Sequence, residues 1–464
     1  MHNIALVNPP QSTKYPQPPM GLAQLAAVLE EKGYRVNVVD ANALKLDPDQ
    51  VISRLSGAEV VGLTAMTPTI SPALEIARAV KEALPEIPII LGGAHATLLP
   101  EETLAASPAV DVIVRGEGEE TLIDLLQAME NKQPFEDIQG ISYRKNSETI
   151  NNPLRPGTVD LDSLPFLAYH LLPWQEYKPH PPHGRALPFA VIITSRGCPY
   201  QCAYCSKPVF GNNFRAQSPE RVLDELIYFK DKLGVKEFAF YDDVFTLNKK
   251  RAHSISDGIL QKGLKMHWTC ETRVNLVDRE LLKHMKQAGC YAIAYGIESA
   301  SEEILGSICK DIEPGQVEEA IRLTREAGIQ TVGYFMLGSP GETPATIRQS
   351  IDLAKKLKLD YAQFSITTPF PGTRLYDMYM EGKTGVNIPW ESFVYAGTGE
   401  GITPVFESDA LTRDEIQQWA RKAYREFYLR PSYPWQRLLQ IRSPGDLMVN
   451  IKGLSMLLEN LKKS

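Results

Sequence analysis

The chain has 464 residues, which leaves room for about three domains. Hydrophobic residues make up 43% and charged residues 23%, a balance that excludes a disordered, fibrous or collagen-like chain. The formal net charge of −7 argues against a general nucleic-acid-binding surface, which needs clustered Lys and Arg.

The first 145 residues alternate short apolar runs with helical patterns. The apolar runs predict strands at Ile4–Val7, Arg35–Val39, Val60–Ala65, Pro88–Leu91 and Val110–Val114. Apolar residues at helical spacing predict helices from Leu22 to Leu29, around Asp49–Leu55, over Ser71–Leu84 and over Glu119–Glu130. Because strands that alternate with helices pair in parallel, we expect residues 1–145 to form one doubly wound, Rossmann-like α/β domain.

Ligands on such a sheet bind beyond the carboxyl ends of its strands. Small residues and hydroxyls at these ends would let a large flat ligand lie against the backbone. The sequence has no G-x-G-x-x-G after the first strand, which disfavours a dinucleotide. Ordinary turn chemistry explains the same glycines and prolines equally well, so both interpretations stay open at this point. His95, taken alone, is more typical of an exposed or hydrogen-bonded loop histidine than of a metal ligand.

Residues 146–190 break the alternation. Eight prolines between Pro153 and Pro188 predict an extended connector with little regular structure. His180 and His183 could suggest a metal site, but no further ligands accompany them, so we expect both to be linker residues.

A loop with three cysteines follows a predicted strand at Ile192–Ser195. Cys198, Cys202 and Cys205 have the spacing C-x3-C-x2-C. Three thiolates on one short loop can bind three corners of an iron–sulfur cubane, and without a fourth cysteine nearby one iron would stay open for a substrate or cofactor. A tetrahedral zinc site would need a fourth Cys or His close by.

The other three cysteines, Cys270, Cys290 and Cys309, are scattered, and we expect small buried or partly buried side chains. A disulfide framework would be denser, so a reducing cytoplasm is the simpler expectation. The chain has no run of 18 apolar residues, which predicts no membrane span. Its first residues show no basic segment followed by an apolar one, so we expect no secretory signal.

The cysteine loop resembles the signature of the radical S-adenosylmethionine (SAM) family. The matching residues are Arg196-Gly197-Cys198-Pro199 and an aromatic residue, Tyr204, directly before the third cysteine. The resemblance implies a [4Fe–4S] cluster on the three cysteines, with the open iron chelating the amino and carboxylate groups of SAM. It also implies that Tyr204 lies near the adenine.

Further strands and helices alternate over residues 191–400. The predicted strands lie near Glu237–Tyr241, His267–Thr272, Ala292–Ile297, Thr331–Leu337 and Tyr361–Thr367. With the strand before the cysteines they make six βα units, which suits the partial (β/α)6 barrel seen across this family, whose sites lie at strand carboxyl ends. By strand counting, the resemblance implies SAM contacts from Asp242, Asp243, Arg273, Glu298, Ser299 and Met336.

A doubly wound domain before such a loop resembles the cobalamin (B12)-binding subfamily of radical SAM proteins. Its usual N-terminal pattern matches Asn8-Pro9-Pro10, the Pro-Met-Gly-Leu at 19–22, Gly92-Gly93-x-His95-x-Thr97 and Gly116-Glu117-Gly118-Glu119. The D-x-H-x-x-G segment is absent, which implies a corrinoid without its own base or a protein histidine below the cobalt. The implied cobalamin contacts are Asn8, Pro10, Met20, Gly21, Thr64, Met66, Thr67, Gly92, Gly93, His95, Thr97, Glu117, Gly118 and Glu119.

Residues 401–464 match neither pattern. Helical spacing predicts helices at Thr412–Phe427 and Leu447–Leu461. A basic-aromatic cluster could cap the barrel and touch substrate, although helices packed on the barrel wall are the favoured interpretation. The cluster consists of Arg425, Tyr428, Arg430, Tyr433, Trp435 and Arg437.

The resemblance implies a methyltransferase that acts on an unactivated sp3 carbon. The substrate would be a protein residue, as in the enzymes that modify methyl-coenzyme M reductase, or a small molecule. A low-potential electron donor such as ferredoxin or flavodoxin is the implied partner, with no nucleic acid and no membrane. Two alternatives stay open: oxidative ring closure, as in the anaerobic cyclase of chlorophyll synthesis, and a non-catalytic corrinoid carrier or sensor with a structural cluster.

Overall fold

The computed structural model describes residues 2–381 except 12, 14, 147 and 180–183, and then residues 389–393, 407, 410–438, 441, 447 and 451. His180 and His183 lie outside the described residues, as does almost all of the predicted helix Leu447–Leu461.

The first domain is built on a seven-stranded sheet. Its order is β2-β1-β3-β4-β5-β6-β7, and the first five strands are parallel. This is a doubly wound order, as the alternation of strands and helices predicts. The strands are β1 Asn3–Asn8, β2 Arg35–Asp40, β3 Val60–Thr64, β4 Ile89–Gly92, β5 Val112–Val114, β6 Ile141–Lys145 and β7 Glu148–Asn151.

Helices cover both faces of this sheet. The apolar stripes of α1 and α7 pack on one face, and those of α3 and α4 pack on the other. Both faces of the strands are therefore buried, which explains why they read as continuous apolar runs. The helices are α1 Met20–Glu31, α2 Ala41–Leu44, α3 Pro48–Ser53, α4 Ile70–Ala83, α5 Ala94–Leu98, α6 Pro100–Ala106 and α7 Glu119–Asn131.

The sheet runs past the predicted boundary at residue 145. Strands β6 and β7 form an antiparallel hairpin that pairs with the edge of β5. The prediction of little regular structure from residue 146 is therefore wrong for β7, because the prolines begin only at Pro153.

The rest of the connector is fastened to both domains. It contains three single 3-10 turns, at Leu161–Ser163, Tyr169–Leu171 and Trp174–Glu176. The backbone N–H of Ala168 donates to Ala23 O, and the Tyr177 hydroxyl donates to Asp40 Oδ2 at 2.8 Å. The connector is thus irregular but fixed in place.

The second domain is a partial barrel. Six parallel strands follow the order β15-β14-β13-β12-β11-β8, which confirms the six predicted βα units. The strands are β8 Phe189–Ile192, β11 Glu237–Phe240, β12 His267–Thr272, β13 Cys290–Glu298, β14 Gln330–Leu337 and β15 Tyr361–Ile366; two short strands, β9 Ser195–Arg196 and β10 Arg215–Ala216, pair with each other outside the barrel.

The predicted strand Ile192–Ser195 is placed wrongly. Strand β8 already ends at Ile192, and β9 turns away to pair antiparallel with β10. The break is held by Asp242, whose Oδ1 accepts from the backbone N–H groups of Thr194 at 2.5 Å and of Ser195 at 3.2 Å.

Helices follow the barrel strands and pack outside them. They are α8 Pro219–Leu233, α9 Lys249–Gln261, α10 Arg279–Gln287, α11 Glu302–Ser307, α12 Pro314–Glu326, α13 Pro344–Lys356, α14 Arg374–Met380, α15 Arg413–Tyr428 and α16 Ser432–Leu438.

The basic-aromatic cluster belongs to the barrel wall. Helix α15 confirms the predicted helix, and the Tyr428 hydroxyl donates to Ala362 O on β15 at 2.9 Å. Arg437 Nη2 donates to the Tyr361 hydroxyl at 2.5 Å. Wall packing, the favoured interpretation, is confirmed for Tyr428 and Arg437, whereas Trp435 is 71% exposed and Arg425 is also exposed. Within the described part of the chain, no helix is both long and apolar enough to cross a membrane.

Candidate active site

The cysteine loop leaves β9 through a turn that only glycine fits. Gly197 has a φ of +81°, and a Cβ there would lie 2.3 Å from Asn213 O. After the turn, the Lys207 ammonium donates to Cys198 O at 2.9 Å, to Tyr200 O and to Asn212 Oδ1 at 2.8 Å. Lys207 therefore fixes the backbone of the loop at Cys198 and at Tyr200.

The second half of the loop is fixed by the barrel. The Ala203 N–H donates to Ile308 O, and Ala203 O accepts from Leu375 N, both at 2.8 Å. Two of the three cysteine side chains, those of Cys202 and Cys205, stay half-buried at the surface of the loop. The thiols are thus held in place by bonds that do not involve them.

The three thiols lie on one short loop with the spacing C-x3-C-x2-C, which suits an iron–sulfur cubane with one open iron. Among the described residues, no group of three His, Cys, Asp or Glu side chains is arranged to hold a single metal ion. Burial, and after it Asp243, raises the pKa of Cys205 to about 12, so the positive charge of a metal centre is needed to keep that thiolate.

Tyr204, directly before the third cysteine, belongs to a buried polar triad with Glu298 and Lys310. Its hydroxyl donates to Glu298 Oε1 at 2.9 Å, and Lys310 Nζ donates to both partners, at 2.8 Å to Glu298 and 2.9 Å to Tyr204. The sequence analysis missed Lys310, which carries no motif. A shift in strand register between Gly296 and Glu298 and a φ of +65° at Glu298 turn the carboxylate toward the cysteine loop.

Arg273 fixes the loop surface. Its guanidinium lies 3.7 Å from the centroid of the Tyr200 ring and donates to the carbonyls of Lys310 and Asp311 at 2.8 Å. Its Nη1 lies 3.8 Å from Cys202 Sγ. These contacts place Arg273 beside the cysteines. Its guanidinium N–H groups, however, already donate hydrogen bonds to carbonyl groups of the protein.

The remaining implied SAM contacts fall into two kinds. Met336 and Asp243 lie at the barrel mouth: Met336 alternates with buried core residues along β14, and Asp243 is exposed to solvent there. Asp242 and Ser299 are buried, and their side-chain oxygens already accept hydrogen bonds from other residues of the protein. The carboxylate of Asp242 also accepts from the Thr194 hydroxyl at 2.6 Å, and Ser299 Oγ accepts from Ser301 N at 3.2 Å. Only Asp243 of the acidic pair is open to a ligand.

A cavity of about 290 Å³ lies between the two domains. This is near the lower end of the roughly 300–1,000 Å³ typical of pockets for drug-sized molecules. Eight of the fourteen implied cobalamin contacts line it: Met20, Gly21, Thr64, Gly92, Gly93, Glu117, Gly118 and Glu119. From the barrel side it is lined by Ile193, Arg196, Val209, Phe210, Gln217 and Glu225.

The other six implied contacts are not on the cavity wall. The clearest case is His95, which is 2% exposed, lies with Nδ1 3.3 Å from Thr67 Oγ1 and packs edge-on against Trp390. Burial lowers the pKa of His95 to about 4, so the imidazole is neutral. The six are Asn8, Pro10, Met66, Thr67, His95 and Thr97.

Gly93 is the tightest of the cavity glycines. It has a φ of +96°, and a Cβ would lie 2.6 Å from Ala65 O and 2.8 Å from both Ala65 N and Thr64 Oγ1. The missing side chain lets β3 and β4 approach at their carboxyl ends. This close approach is what forms a shallow cradle for a ligand against the backbone.

Gly93→Ala should lower the free energy of unfolding by about 2–3 kcal/mol, because strain and a backbone clash add together. Gly57→Ala is the matched control: Gly57 has a φ of +77° but nothing within 4 Å of the added carbon. We expect this control to cost about 1 kcal/mol. Urea unfolding of the two variants checks the difference, and equal losses would contradict the crowding at Gly93.

Glu117 and Glu119 line the cavity, but their carboxylates are bound to arginines. Arg196 Nη1 donates to Glu117 Oε2 at 2.5 Å and Nη2 donates to Glu119 Oε1 at 2.6 Å. Arg215 Nη2 lies 2.5 Å from Glu117 Oε1, as an ion pair without hydrogen-bond alignment. Burial opposes the charge on Arg196, but Glu119 and Glu117 outweigh it and raise its pKa. The first domain is thus bound directly to the base of the cysteine loop.

Glu342 closes the loop after β14. Its Oε2 accepts from the N–H groups of Gly338 at 2.5 Å and Ser339 at 3.1 Å, and the side chain is fully buried. Burial raises the pKa of Glu342 to about 7, against the effect of the two hydrogen bonds.

The free energy of unfolding should therefore fall as pH rises from about 5 to 7. Between these values the unfolded chain releases the proton of Glu342 more readily than the folded chain, and above pH 7 the loss is complete. We expect Glu342→Gln to reduce this fall by about 3 kcal/mol. Glu319→Gln, at an exposed carboxylate whose pKa Arg322 lowers, should leave it unchanged. Urea unfolding at a series of pH values checks both.

The residues present fit both cofactors that the motifs imply. The three cysteines sit on one fixed loop, and the cavity offers a glycine cradle. The cavity wall also carries a buried amide oxygen, Gln217 Oε1, that has no hydrogen-bond partner within the described structure. A buried amide oxygen of this kind needs a donor from water or from a ligand.

Comparisons with known proteins agree with this arrangement. Residues 11–126 match the family described as B12 binding domain, and residues 192–354 match the radical SAM superfamily. The "Uncharacterized methyltransferase PH0819" of Pyrococcus horikoshii is 38% identical over 92% of this chain and 93% of its own length. The anaerobic magnesium-protoporphyrin IX monomethyl ester cyclase of Cereibacter sphaeroides is 31% identical over 90% of this chain and 69% of its own length.

A solved structure shows the same fold. The cobalamin-dependent SAM radical enzyme OxsB, with aqua-cobalamin and SAM bound, superposes with a TM-score of 0.76 at 18% identity and covers 99% of this chain and 72% of its own. Together with the two family matches and the 38% identical relative, the paired domains identify this chain. It belongs to the cobalamin-binding radical SAM family, whose cofactors are a [4Fe–4S] cluster, SAM and cobalamin.

Proposed function

We propose that the chain is a cobalamin-dependent radical SAM methyltransferase that acts on an unactivated sp3 carbon. The observation that favours methyl transfer is the 38% identity, over 92% of this chain, to a relative named as a methyltransferase. The structure adds an ion pair between the two halves of the site. Arg196, two residues before the first cysteine, holds the Gly-Glu-Gly-Glu loop of the corrinoid domain at 2.5 and 2.6 Å. When bound, the cluster and SAM supply hydrogen-atom abstraction and the corrinoid supplies a methyl group.

The chain's own residues hold and orient these parts. Lys207 and Ala203 fix the cysteine loop, and Tyr204, Glu298 and Lys310 form the polar wall beside it. The wall between the domains is largely apolar and glycine-rich, which excludes water from reactive groups. Asp243 is the carboxylate left open to the SAM amino group.

The substrate is proposed to be a peptide segment, such as a residue of a protein like methyl-coenzyme M reductase. An extended loop of the substrate would then have to reach the space between the two domains. A small molecule is the alternative substrate class. A ferredoxin or flavodoxin is proposed as the electron donor.

Oxidative ring closure is the second candidate function. It is favoured by one observation, the 31% identity to the anaerobic cyclase over 90% of this chain. The same cofactors serve both reactions, so the fold does not separate them. The products do, because ring closure forms no S-adenosylhomocysteine.

The deciding experiment follows the methyl group. The anaerobically reconstituted protein, with cobalamin, a strong reductant and methyl-deuterated SAM, is incubated in extract of a strain that lacks it. A labelled peptide with S-adenosylhomocysteine and 5′-deoxyadenosine supports the protein methylase. Label in a small molecule instead of a peptide would assign the substrate to the small-molecule class. Deoxyadenosine without label or S-adenosylhomocysteine overturns methyl transfer in favour of ring closure.

Cys202→Ala should abolish cluster absorbance and 5′-deoxyadenosine formation, because two thiolates cannot hold the cubane with its open iron. Cys290→Ala makes the same change at a thiol that is buried in the barrel wall, 1% exposed, and should retain both. If Cys202→Ala still complements a strain that lacks the protein, the cluster is structural and the protein is a non-catalytic corrinoid carrier or sensor.

A further inference from the structure

Two cations flank the cysteine loop without a carboxylate partner. Arg273 is 4% exposed and Lys207 is half-buried, and within the described structure neither forms an ion pair. The other two cations near the loop, Arg196 and Lys310, are by contrast neutralised by buried carboxylates. The positive charges of Lys207 and Arg273 therefore remain uncompensated by the part of the protein that the structure describes.

Lys207 is held against the first cysteine by its side chain and by its backbone. Its Nζ donates to Cys198 O at 2.9 Å, to Tyr200 O and to Asn212 Oδ1 at 2.8 Å. Its carbonyl accepts from Gly211 N at 3.2 Å, and Gly211 O accepts from Cys198 N at 3.3 Å. All three acceptors of the ammonium are neutral oxygens, so these bonds fix its position but leave its charge.

Arg273 is fixed in the same way beside the second cysteine. Its Nη1 donates to Cys202 Sγ at 3.8 Å, and its Nη2 donates to the carbonyls of Lys310 and Asp311 at 2.8 Å. The guanidinium also lies 3.7 Å from the centroid of the Tyr200 ring. Neither these carbonyls nor the ring carries a negative charge that would neutralise Arg273.

Two cations held in this way favour an anion between them, because burying a charge without a partner costs free energy. The exposed carboxylate of Asp243 pairs with neither cation within the described residues. The thiolates that bind a [4Fe–4S] cluster bring negative charge to the loop, and each added electron increases it. Net charge and hydrogen bonds to the sulfurs are among the factors that set the potential of such a cluster.

We propose that Lys207 and Arg273 raise the reduction potential of the [4Fe–4S] cluster, so that a low-potential one-electron donor can reduce it. The electron comes from that donor and stays on the cluster, and no bond forms or breaks. The inference depends on the cluster alone, so it holds for methyl transfer and for ring closure alike. At the effective dielectric constant of a protein, one fixed charge near the thiolates should change the equilibrium constant for reduction about tenfold, or about 59 mV for a one-electron couple.

Asn212→Asp tests the charge of Lys207 while keeping its hydrogen bonds, because the new carboxylate can accept where the amide oxygen accepts now. The anaerobically reconstituted full chain, without SAM, is titrated with dithionite, and electron paramagnetic resonance follows the reduced cluster. We expect a midpoint potential about 59 mV below that of the wild type. Asn213→Asp adds the same charge at the next exposed residue, which the Lys207 ammonium does not contact, and should shift the potential much less. Equal shifts in the two variants, or no shift in Asn212→Asp, overturn the proposal.

Arg273→Gln should lower the midpoint potential by a similar amount, and Arg273→Lys, which keeps the charge, should restore most of it. The matched control is Arg325→Gln. Arg325 is exposed on α12 and also donates to two carbonyls, those of Leu357 at 3.2 Å and Lys358 at 2.6 Å, so its loss should leave the potential unchanged. Iron content is measured first. If Arg273→Gln lowers only the iron content, and the bound clusters keep the wild-type potential, Arg273 merely fastens the loop and the proposal is wrong. If that variant binds no cluster, the titration of Asn212→Asp decides.

Discussion

Arg196→Met should lower the free energy of unfolding by about 3–5 kcal/mol, since it leaves two buried carboxylates without their cation. Arg196 is 10% exposed in its side chain, and its partners Glu117 and Glu119 are 5% and 7% exposed. Arg215 compensates only Glu117. Arg196→Met also removes the ion pairs between the corrinoid domain and the cysteine loop. We therefore expect 5′-deoxyadenosine to form without a matching amount of methylated product.

The control for Arg196→Met is an exposed arginine with the same number of partners. Arg322 is 49% exposed and pairs with Glu319 and Glu326 on the surface of α12. Arg322→Met should leave the free energy of unfolding nearly unchanged, because water and salt screen exposed ion pairs. Urea unfolding of both variants gives the comparison, and adding Glu119→Gln to Arg196→Met should recover part of the loss. A loss at Arg196 no larger than at Arg322 would show that the buried network does not stabilise the interface.

Lys310→Met should cost a similar amount and also weaken SAM binding. Lys310 and Glu298 are 6% and 8% exposed and lie 2.8 Å apart, so removing the ammonium leaves a buried charge beside Tyr204. We expect a loss of about 3–5 kcal/mol in the free energy of unfolding. The SAM dissociation constant should rise about tenfold as the carboxylate leaves its position.

Lys356→Met makes the same change at an exposed pair. Lys356 is 66% exposed and contacts Glu318 at 2.7 Å, so stability and SAM affinity should both stay within about 1 kcal/mol of wild type. Adding Glu298→Gln to Lys310→Met should restore stability without restoring SAM affinity. Restored affinity in the double variant would mean that Glu298 does not contribute to SAM binding.

The local sequence pattern was sufficient to predict the parallel strands of the two sheets and the cysteine loop. Strands buried on both faces are continuous apolar runs, and C-x3-C-x2-C needs no tertiary information. The hairpin of β6 and β7 was missed because β7 is short, polar and half-exposed, so it lacks the apolar run that marks a strand.

Contacts between distant segments were not predictable from the sequence. Arg196 contacts Glu117 and Glu119, which lie more than seventy residues earlier in the sequence. No local sequence pattern predicts these two ion pairs. The motif also assigned Asp242 to SAM, whereas its oxygens are consumed by Thr194 and Ser195. Gln217 carries no motif, and only its unpaired buried oxygen draws attention to it.

The Arg196 network also constrains the order in which the chain folds. All seven strands of the first sheet lie within residues 3–151, so they are synthesised before Arg196. Glu117 and Glu119 are buried in the folded chain, where Arg196 neutralises them. We therefore expect the first sheet to form while both carboxylates are still hydrated, and the carboxylates to be buried only when Arg196 docks against them.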